Sequence, residues 1–266
     1  MPADIRTRRY VEVFGGAGTV LLNKPPSVEE VYNDVNGYLV NLFRWVQRDP
    51  DALTKKLEYV LNSRAEFQAA YERLYSKDYP ESLLQAAADF YQIHVQSWCG
   101  NGKHYGANFR SIRAGFPILE QAFLRLQRVV VEQWDFEKLL RVYACPNGFY
   151  YMDPPYVETE RIYNGGEFFS REDHYRLGEI ALALPGKWMI SYNLHPLVMD
   201  IFQKPGIFIE HLTRPNSMAH HQEGGAVYDE VIITNYDTSA EENAPSGQLR
   251  LADYSTAQRR EYLWPK

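Results

Sequence analysis

Apolar runs of strand length alternate with segments of helical periodicity near the N-terminus. Residues 9–14 (RYVEVF) form a β-rich run that breaks into four residues, GGAG at 15–18, and a helix start follows at TVLLN. A second short run over residues 28–34 precedes residues 37–48, where apolar side chains recur at helical spacing. The pattern therefore predicts the order β-α-β-α.

The middle of the chain departs from this alternation. Residues 51–93 carry apolar stripes at helical spacing, residues 97–115 are rich in glycine, and residues 116–126 are helical in pattern again. We expect no regular element in the glycine-rich stretch. A long, mainly helical segment between two alternating regions indicates an insertion, which we place at residues 51–127.

The alternation resumes after the insertion. Five further strands are predicted at residues 128–132, 148–153, 187–193, 206–212 and 228–236. Helices are predicted between them at residues 134–143, 170–184 and 195–203, the second starting with a capping-box pattern at Ser170 and Asp173. This order predicts an α/β domain over residues 1–50 and 128–240, with a mostly parallel sheet, helices on both faces, a final antiparallel hairpin and a polar tail at 241–266.

Composition and charge narrow the class of protein. No window resembles a membrane span or a signal peptide, so a cytoplasmic location is the default expectation. The net charge is -6, which argues against coating nucleic acid through bulk electrostatics. One segment differs, because residues 103–128 contain five basic residues and a single acid, Glu120. A localised DNA contact and a merely solvated helix face explain this segment equally well.

The glycine run after the first strand is a candidate ligand site. Glycines there let the backbone turn sharply and approach a ligand at the carboxyl edge of an open α/β sheet. Asp34 follows the second strand, where an acid commonly accepts hydrogen bonds from ribose hydroxyls. The alternatives are a purely structural turn and a helix cap at Asn33 or Asp34.

The strongest chemical signal is Asp153-Pro154-Pro155-Tyr156 at the end of a predicted strand. Two prolines restrict the backbone, so the Asp153 carboxylate and the Pro154 carbonyl form a pair of fixed acceptors. Such a pair suits a planar amino group, whose lone pair then attacks a sulfonium methyl in line while the ring of Tyr156 stacks on a base. This chemistry needs neither a covalent enzyme intermediate nor a metal.

Two other chemistries are disfavoured. His220 and His221 near Glu223 do not match a zinc pattern, and we expect a solvated loop there and no metal site. Cys145-Pro146 reverses the Pro-Cys order of the cytosine C5 enzymes, and we expect Cys99 and Cys145 to be ordinary reduced thiols.

With these residues in place, the sequence resembles the Dam-like, alpha-group family of DNA N6-adenine methyltransferases. The resemblance covers roughly residues 10–237 and rests on the order glycine motif, insertion, DPPY. It implies a Rossmann-like S-adenosylmethionine-dependent methyltransferase fold and site-specific methylation of a flipped adenine in double-stranded DNA. It also implies a bacterial or phage-encoded enzyme, and a cognate restriction endonuclease is a possible partner; the oligomeric state stays open.

The resemblance also assigns residues. The catalytic set is Asp153, Pro154, Pro155 and Tyr156. The cofactor-binding set is Glu12, Phe14, Gly15, Gly16, Ala17, Gly18, Asp34, Asp135 and Phe136, with Phe168 or Phe169 as a further wall of the adenine pocket or as core. The DNA-binding set is Lys103, Tyr105, Asn108, Arg110 and Arg113. For Asp135, helix capping is the alternative.

One departure from the family pattern concerns the N-terminus. The family usually carries a Y-x-G-x-K type motif ahead of the first strand, and only nine residues precede Tyr10 here. The missing motif leaves three interpretations: the chain is truncated, its start is shifted, or it binds the cofactor weakly. Two other functions therefore stay open: a catalytically weak or silent DNA-binding relative, and a methyltransferase acting on RNA adenine or a protein amide.

Overall fold

A computed structural model describes residues 8–75, 82–107, 111–160, 169–215 and 227–238. In chain order its strands are β1 (Arg9–Glu12), β2 (Glu29–Asn33), β3 (Val129–Glu132), β4 (Gly148–Met152), β5 (Lys187–Asn193), β6 (Phe208–Pro215) and β7 (Val227–Thr234). Its helices are α1 (Thr19–Asn23), α2 (Gly37–Arg48), α3 (Pro50–Leu57), α4 (Arg64–Tyr75), α5 (Leu83–Gln96), α6 (Phe116–Leu126), α7 (Phe136–Tyr143), α8 (Arg171–Leu182) and α9 (Pro196–Phe202).

The chain divides into two compact units. Among the described residues, the first, here called the sheet unit, comprises those up to Val35 and those from Trp134 onward, and the second, the helical unit, comprises those from Asn36 to Gln133. The predicted polar tail at residues 241–266 lies outside the described residues. The division places α2 and β3 in the helical unit. Assignment of residues 1–50 and 128–240 to a catalytic domain and of 51–127 to a target-recognition insertion stays a prediction.

The sheet unit contains six of the described strands in the order β2-β1-β4-β5-β7-β6. Strand β1 runs parallel to β2 and β4, and β4 runs parallel to β5. Strand β7 is antiparallel to both β5 and β6. The prediction of a mostly parallel sheet with a final antiparallel hairpin is therefore confirmed.

The core of the sheet unit explains why its central strands are nearly continuous apolar runs. Helices α7, α8 and α9 pack their buried faces against β1, β4, β5 and β7, so these strand side chains lose contact with water. Helix α8 begins as predicted, because the Asp173 carboxylate accepts hydrogen bonds from the backbone N–H and the hydroxyl of Ser170, at 2.7 and 2.9 Å.

The helical unit is built around α5. Residues 86–93 of this helix are buried, and they pack against α4 together with partly buried side chains of α2. Within it, the buried carboxylate of Asp89 accepts two hydrogen bonds from Arg73, at 3.0 and 2.7 Å. Because α2 buries its apolar face here, the predicted helix over residues 37–48 belongs by its contacts to this unit.

The expectation that residues 97–115 contain no regular element is wrong in part. Short 3-10 turns occupy Trp98–Gly100 and Ile112–Gly115, and Ser97 forms an antiparallel bridge with Tyr105. The Ser97 hydroxyl accepts from the N–H of Gly102, at 2.9 Å. The high glycine content favoured an irregular loop. In the structure, Gly100 and Gly102 have positive φ, and they permit these tight turns.

Candidate active site

The glycine turn after β1 is closely fitted to the ring of Tyr32 on β2. A side-chain Cβ at Gly15 would lie 2.2 Å from Tyr32 Cε2, so only glycine fits there. The Tyr32 hydroxyl donates to the carbonyl of Gly16 at 2.6 Å. Gly16 and Gly18 have positive φ values of 49° and 68°, which L side chains rarely adopt. The ring of Tyr32 therefore fills the space beside Gly15 and holds the turn at the carboxyl end of β1, whereas a Cβ at Gly16 would meet open space.

Asp34 lies at the end of β2 and is tied to the same turn. Its carboxylate accepts a hydrogen bond from the N–H of Gly16 at 2.8 Å, and the carbonyl of Asn33 accepts from the N–H of Gly15 at 2.7 Å. Asp34 itself is half-buried. The sequence-predicted acid and the glycine run are therefore brought together, and Asp34 does not act as the cap of α2, since the Asn36 side chain does.

Glu12 is the buried acid of this edge. Burial raises the pKa of Glu12 to about 8, although a hydrogen bond from the Tyr10 hydroxyl and the charge of Lys24 act to lower it. The Tyr10 hydroxyl donates to Glu12 at 2.7 Å, and the carboxylate of Asp153 adds a further repulsion that raises the pKa. Glu12 and Asp153 are therefore electrostatic neighbours at the ends of adjacent strands.

The DPPY residues follow β4, which pairs with β1. Asp153 is exposed, Pro154 is buried, and Pro155 and Tyr156 are half-buried. The Ser191 hydroxyl on β5 donates to the Asp153 carboxylate at 2.5 Å. Because parallel strands bring their carboxyl ends to one edge, the DPPY motif lies beside the glycine turn.

The backbone after the DPPY motif is also held. The side chain of Asn193, at the end of β5, accepts from the N–H of Val157 at 3.0 Å and donates to its carbonyl at 3.1 Å. The hydroxyl of Thr159 donates to the carbonyl of Tyr156 at 2.9 Å. These bonds fix the backbone on the C-terminal side of Tyr156.

Three phenylalanines form an aromatic cluster next to the glycine turn. Phe14 lies 5.6 Å from Phe136 and 5.7 Å from Phe169 between ring centroids, and Phe136 and Phe169 are also 5.7 Å apart. Phe136 and Phe169 are buried and Phe14 is partly buried. Phe168 lies outside the described residues.

Asp135 caps a helix. Its carboxylate accepts from the N–H of Glu137 at the start of α7, at 2.9 Å, and pairs with Arg176 of α8 at 2.7 Å. The guanidinium of Arg176 lies 4.4 Å from the centroid of the Phe136 ring. Asp135 therefore caps α7, as the alternative interpretation of the sequence held, and its role in cofactor binding stays a prediction.

Three of the predicted DNA-binding residues, Lys103, Tyr105 and Arg113, lie in the described part of the helical unit. Lys103 is exposed, and exposed Arg113 pairs with Glu58 at 3.6 Å. Tyr105 is half-buried, its hydroxyl donates to Asn62 at 3.2 Å, and its ring packs 5.8 Å from Phe67. Tyr105 thus supports the fold of its loop. Asn108 and Arg110 lie outside the described residues.

Three further expectations from the sequence concern a metal site, a membrane span and the cysteines. Within the described ranges there is no group of three or more metal-ligating side chains, and His220, His221 and Glu223 lie outside them. No helix in the same ranges is long and apolar enough to cross a membrane. Cys99 and Cys145 are free thiols.

Sequence reasoning missed three side chains at this edge. Ser191 contacts the Asp153 carboxylate, and Tyr192 and His174 form a buried hydrogen-bonded pair behind Tyr156. Ser191 and Tyr192 stand near the end of a predicted strand, which was a usable signal. His174 is one of the polar residues early in α8 and gave no signal of its own.

The strand order, the glycine turn and the DPPY edge together define a Rossmann-like methyltransferase fold. A family model described as D12 class N6 adenine-specific DNA methyltransferase matches residues 1–219. The chain belongs to this family and is an adenine-specific DNA methyltransferase.

Two curated relatives are similar to this chain. The type II methyltransferase M1.LlaDCHI of Lactococcus lactis subsp. cremoris is 26% identical over 253 residues, which cover 85% of this chain and 86% of that protein. The modification methylase StsI of Streptococcus sanguinis is 22% identical over 268 residues, which cover 89% of this chain. The match spans 40% of that longer protein.

Proposed function

We propose that this chain methylates adenine N6 at a specific DNA sequence with S-adenosylmethionine, using the edge where β1, β2 and β4 end. The observation that carries the proposal is the adjacency of two features on neighbouring strands. A glycine turn follows β1, and the exposed Asp153 carboxylate, oriented by Ser191, follows β4.

The glycine turn fits the cofactor by its shape and charge. Gly16 has a positive φ and open space beside it, so its backbone can approach a ligand closely, while the Tyr32 ring packed against Gly15 fixes the turn. Asp34 supplies a carboxylate at the turn, which suits the ribose hydroxyls of S-adenosylmethionine, and Glu12, at the end of β1, is the proposed partner of its ammonium group. When bound, this cofactor supplies the electrophilic methyl group.

The DPPY residues fit an adenine amino group. Asp153 and the carbonyl of Pro154 accept hydrogen bonds from the amino group, which keeps its lone pair directed at the methyl group. Tyr156 stacks on the ring of an adenine turned out of the duplex. In a direct transfer the amino nitrogen would gain the methyl group as the bond between that methyl and the sulfonium sulfur breaks, and the surplus amino proton would leave by way of the Asp153 carboxylate to water. No covalent intermediate with the enzyme is required.

The helical unit supplies the DNA contacts in this proposal. Exposed Lys103 and Arg113 neutralise phosphates, with Asn108 and Arg110 in the same segment. A cognate restriction endonuclease acting on the same sequence is the proposed partner, because the relative M1.LlaDCHI bears a type II name.

The test is transfer of labelled methyl to unmethylated duplex DNA, followed by sequencing for N6-methyladenine. Wild-type protein is compared with Asp153→Asn and with the matched control Asp200→Asn, an exposed carboxylate on α9. We expect label in adenine at one sequence, a loss of at least about a hundredfold in rate for Asp153→Asn, and wild-type rates for Asp200→Asn.

Each other outcome contradicts a named part of the proposal. Transfer to RNA or protein but not to DNA would refute the substrate. Equal rates for Asp153→Asn and wild type would refute the role of Asp153. Binding of cofactor and of DNA without any transfer would show a catalytically silent relative.

A further inference from the structure

A buried hydrogen-bonded chain lies behind the DPPY motif. His174 on α8 is fully buried, and its Nδ1 lies 2.7 Å from the hydroxyl of Tyr192 on β5. Its Nε2 lies 2.9 Å from a carboxylate oxygen of Glu160, four residues after Tyr156. The order of contacts is therefore Glu160, His174, Tyr192, with one imidazole joining two other segments of the sheet unit.

The direction of the hydrogen bonds follows from the charges. Burial lowers the pKa of His174 more than the hydrogen bond to Glu160 raises it, so the imidazole is neutral. Burial acts to raise the pKa of Glu160, but the hydrogen bond with His174 and two backbone bonds outweigh it, so Glu160 is a carboxylate. Nε2 therefore donates to Glu160 and Nδ1 accepts from Tyr192. The phenol can donate, because burial raises the pKa of Tyr192 far above its ordinary value.

This chain reaches the DPPY tyrosine by packing. The ring centroids of Tyr156 and Tyr192 are 6.3 Å apart, with 41° between the ring planes. On its other side, the His174 ring lies 4.9 Å from Phe169, a member of the phenylalanine cluster beside the glycine turn. His174 thus stands between the aromatic groups on the two sides of the candidate active site.

We propose that His174 is a positioning residue for Tyr156, holding Tyr192 against its ring and Glu160 four residues after it. The inference rests on the proposed function, since it assumes that Tyr156 stacks on the target adenine. A stacking ring must be held closely, because displacement by about 1 Å can reduce a rate by about a hundredfold. His174 contacts neither substrate nor cofactor in this role.

Two substitutions at His174 test its hydrogen bonds to Tyr192 and to Glu160 separately. Asparagine places its Oδ1 near the position of Nδ1, so His174→Asn keeps the acceptor for Tyr192 and loses the donor to Glu160. Glutamine places its Nε2 near the position of the imidazole Nε2, so His174→Gln keeps the donor and loses the acceptor. Tyr192→Phe removes only the hydroxyl, and Glu160→Gln removes only the charge.

Tyr150→Phe is the matched control. The buried Tyr150 hydroxyl accepts from the N–H of Cys145 at 2.7 Å and donates to the carbonyl of Tyr143 at 2.9 Å, at the start of β4 and not at its DPPY end. Its loss lowers stability without touching Tyr156. The variant therefore reports what the loss of a buried tyrosine hydroxyl does by destabilisation alone.

The measurements are kcat per folded protein, the Kd for S-adenosylmethionine, and the fluorescence of 2-aminopurine placed at the target adenine. We expect His174→Gln and Tyr192→Phe each to lower kcat by about tenfold or more, with cofactor Kd within about twofold of wild type. The double variant should lose no more kcat than either single variant, because both substitutions remove the same hydrogen bond between residues 174 and 192. Their fluorescence should shift in the direction produced by Tyr156→Ala, and His174→Asn should retain more activity than His174→Gln.

Other results would overturn the inference. If all four variants keep kcat per folded protein at the level of Tyr150→Phe, His174 is only structural. The same conclusion follows if His174→Gln is as active as His174→Asn, or if the fluorescence stays at the wild-type value. If a His174 variant does not fold, Tyr192→Phe decides by the same measurements. Absence of methyl transfer by wild-type protein would instead refute the proposed function.

Discussion

At the residue scale, the candidate site is an arrangement of carboxylates in different surroundings. Asp153 is exposed, Asp34 is half-buried and Glu12 is buried. Burial penalises the charged form, which is why the pKa of Glu12 is raised to about 8. A protonated Glu12 beside Asp153 also avoids two adjacent negative charges in the protein without ligand.

The raised pKa of Glu12 predicts a loss of stability with rising pH. Between about pH 4.5 and pH 8 the unfolded chain has released a proton that folded Glu12 retains, so stability falls as pH rises through this range. The contribution has a slope of up to about 1.4 kcal/mol per pH unit and levels off above pH 8. Glu12→Gln should remove it, and denaturant unfolding at pH 5 to 9 measures the difference.

The control for this prediction is Glu179→Gln, an exposed carboxylate on α8. Its free energy of unfolding should follow that of wild type across the same pH range. Parallel curves for Glu12→Gln and wild type would show that Glu12 is already ionised in the folded protein.

At the element scale, the packing of α8 on α9 depends on a glycine. A Cβ at Gly178 would lie 2.2 Å from Cγ2 of Ile201 on α9. Helix propensity favours alanine at such a position by about 1 kcal/mol, but overpacking a close contact costs about 1 to 3 kcal/mol. Because the added Cβ would come so close to Ile201, we expect the packing cost to exceed the gain in helix propensity.

We expect Gly178→Ala to destabilise the protein by up to about 2 kcal/mol despite the better helix former. Adding Ile201→Leu removes the Cγ2 methyl and should restore part of the loss, with Ile201→Leu alone as the reference. Thermal or denaturant unfolding of the three variants gives the coupling. A more stable Gly178→Ala would mean that the two helices separate without cost.

At the scale of the whole molecule, a net charge of -6 limits how DNA can be bound. Counterion release by lysine and arginine supplies most of the salt-dependent affinity, so only local basic residues contribute. Lys103 is exposed, whereas Arg113 shares its charge with Glu58 at 3.6 Å. The two residues should therefore differ in their effect on binding.

Lys103→Ala should weaken DNA binding and reduce the slope of log K against log salt by about 0.9, the value for one phosphate contact. Arg113→Ala should reduce it less, because its charge is already partly neutralised. Lys204→Ala, an exposed lysine of the sheet unit, is the control and should leave the slope unchanged. Titrations at several salt concentrations measure the slopes. An unchanged slope for Lys103→Ala would show that Lys103 does not contact a phosphate.

The sequence by itself determined the elements and the chemical motifs. Apolar periodicity placed α2 at its observed bounds, because periodicity records which side of a helix is buried, and a short continuous apolar run placed β5, which is buried on both faces. The glycine turn and DPPY were readable for a related reason, since few other residues tolerate those backbone conformations. The family resemblance was likewise carried by these motifs and their order.

Only the tertiary structure decided which side chains meet. The partnership of Ser191 with Asp153, the capping of α7 by Asp135, and the contacts of His174 join residues far apart in the chain. The packing of α2 within the helical unit has the same origin, because an apolar stripe does not specify which partner covers it. Local patterns record burial and backbone conformation, whereas long-range contacts depend on how strands and helices are arranged in space.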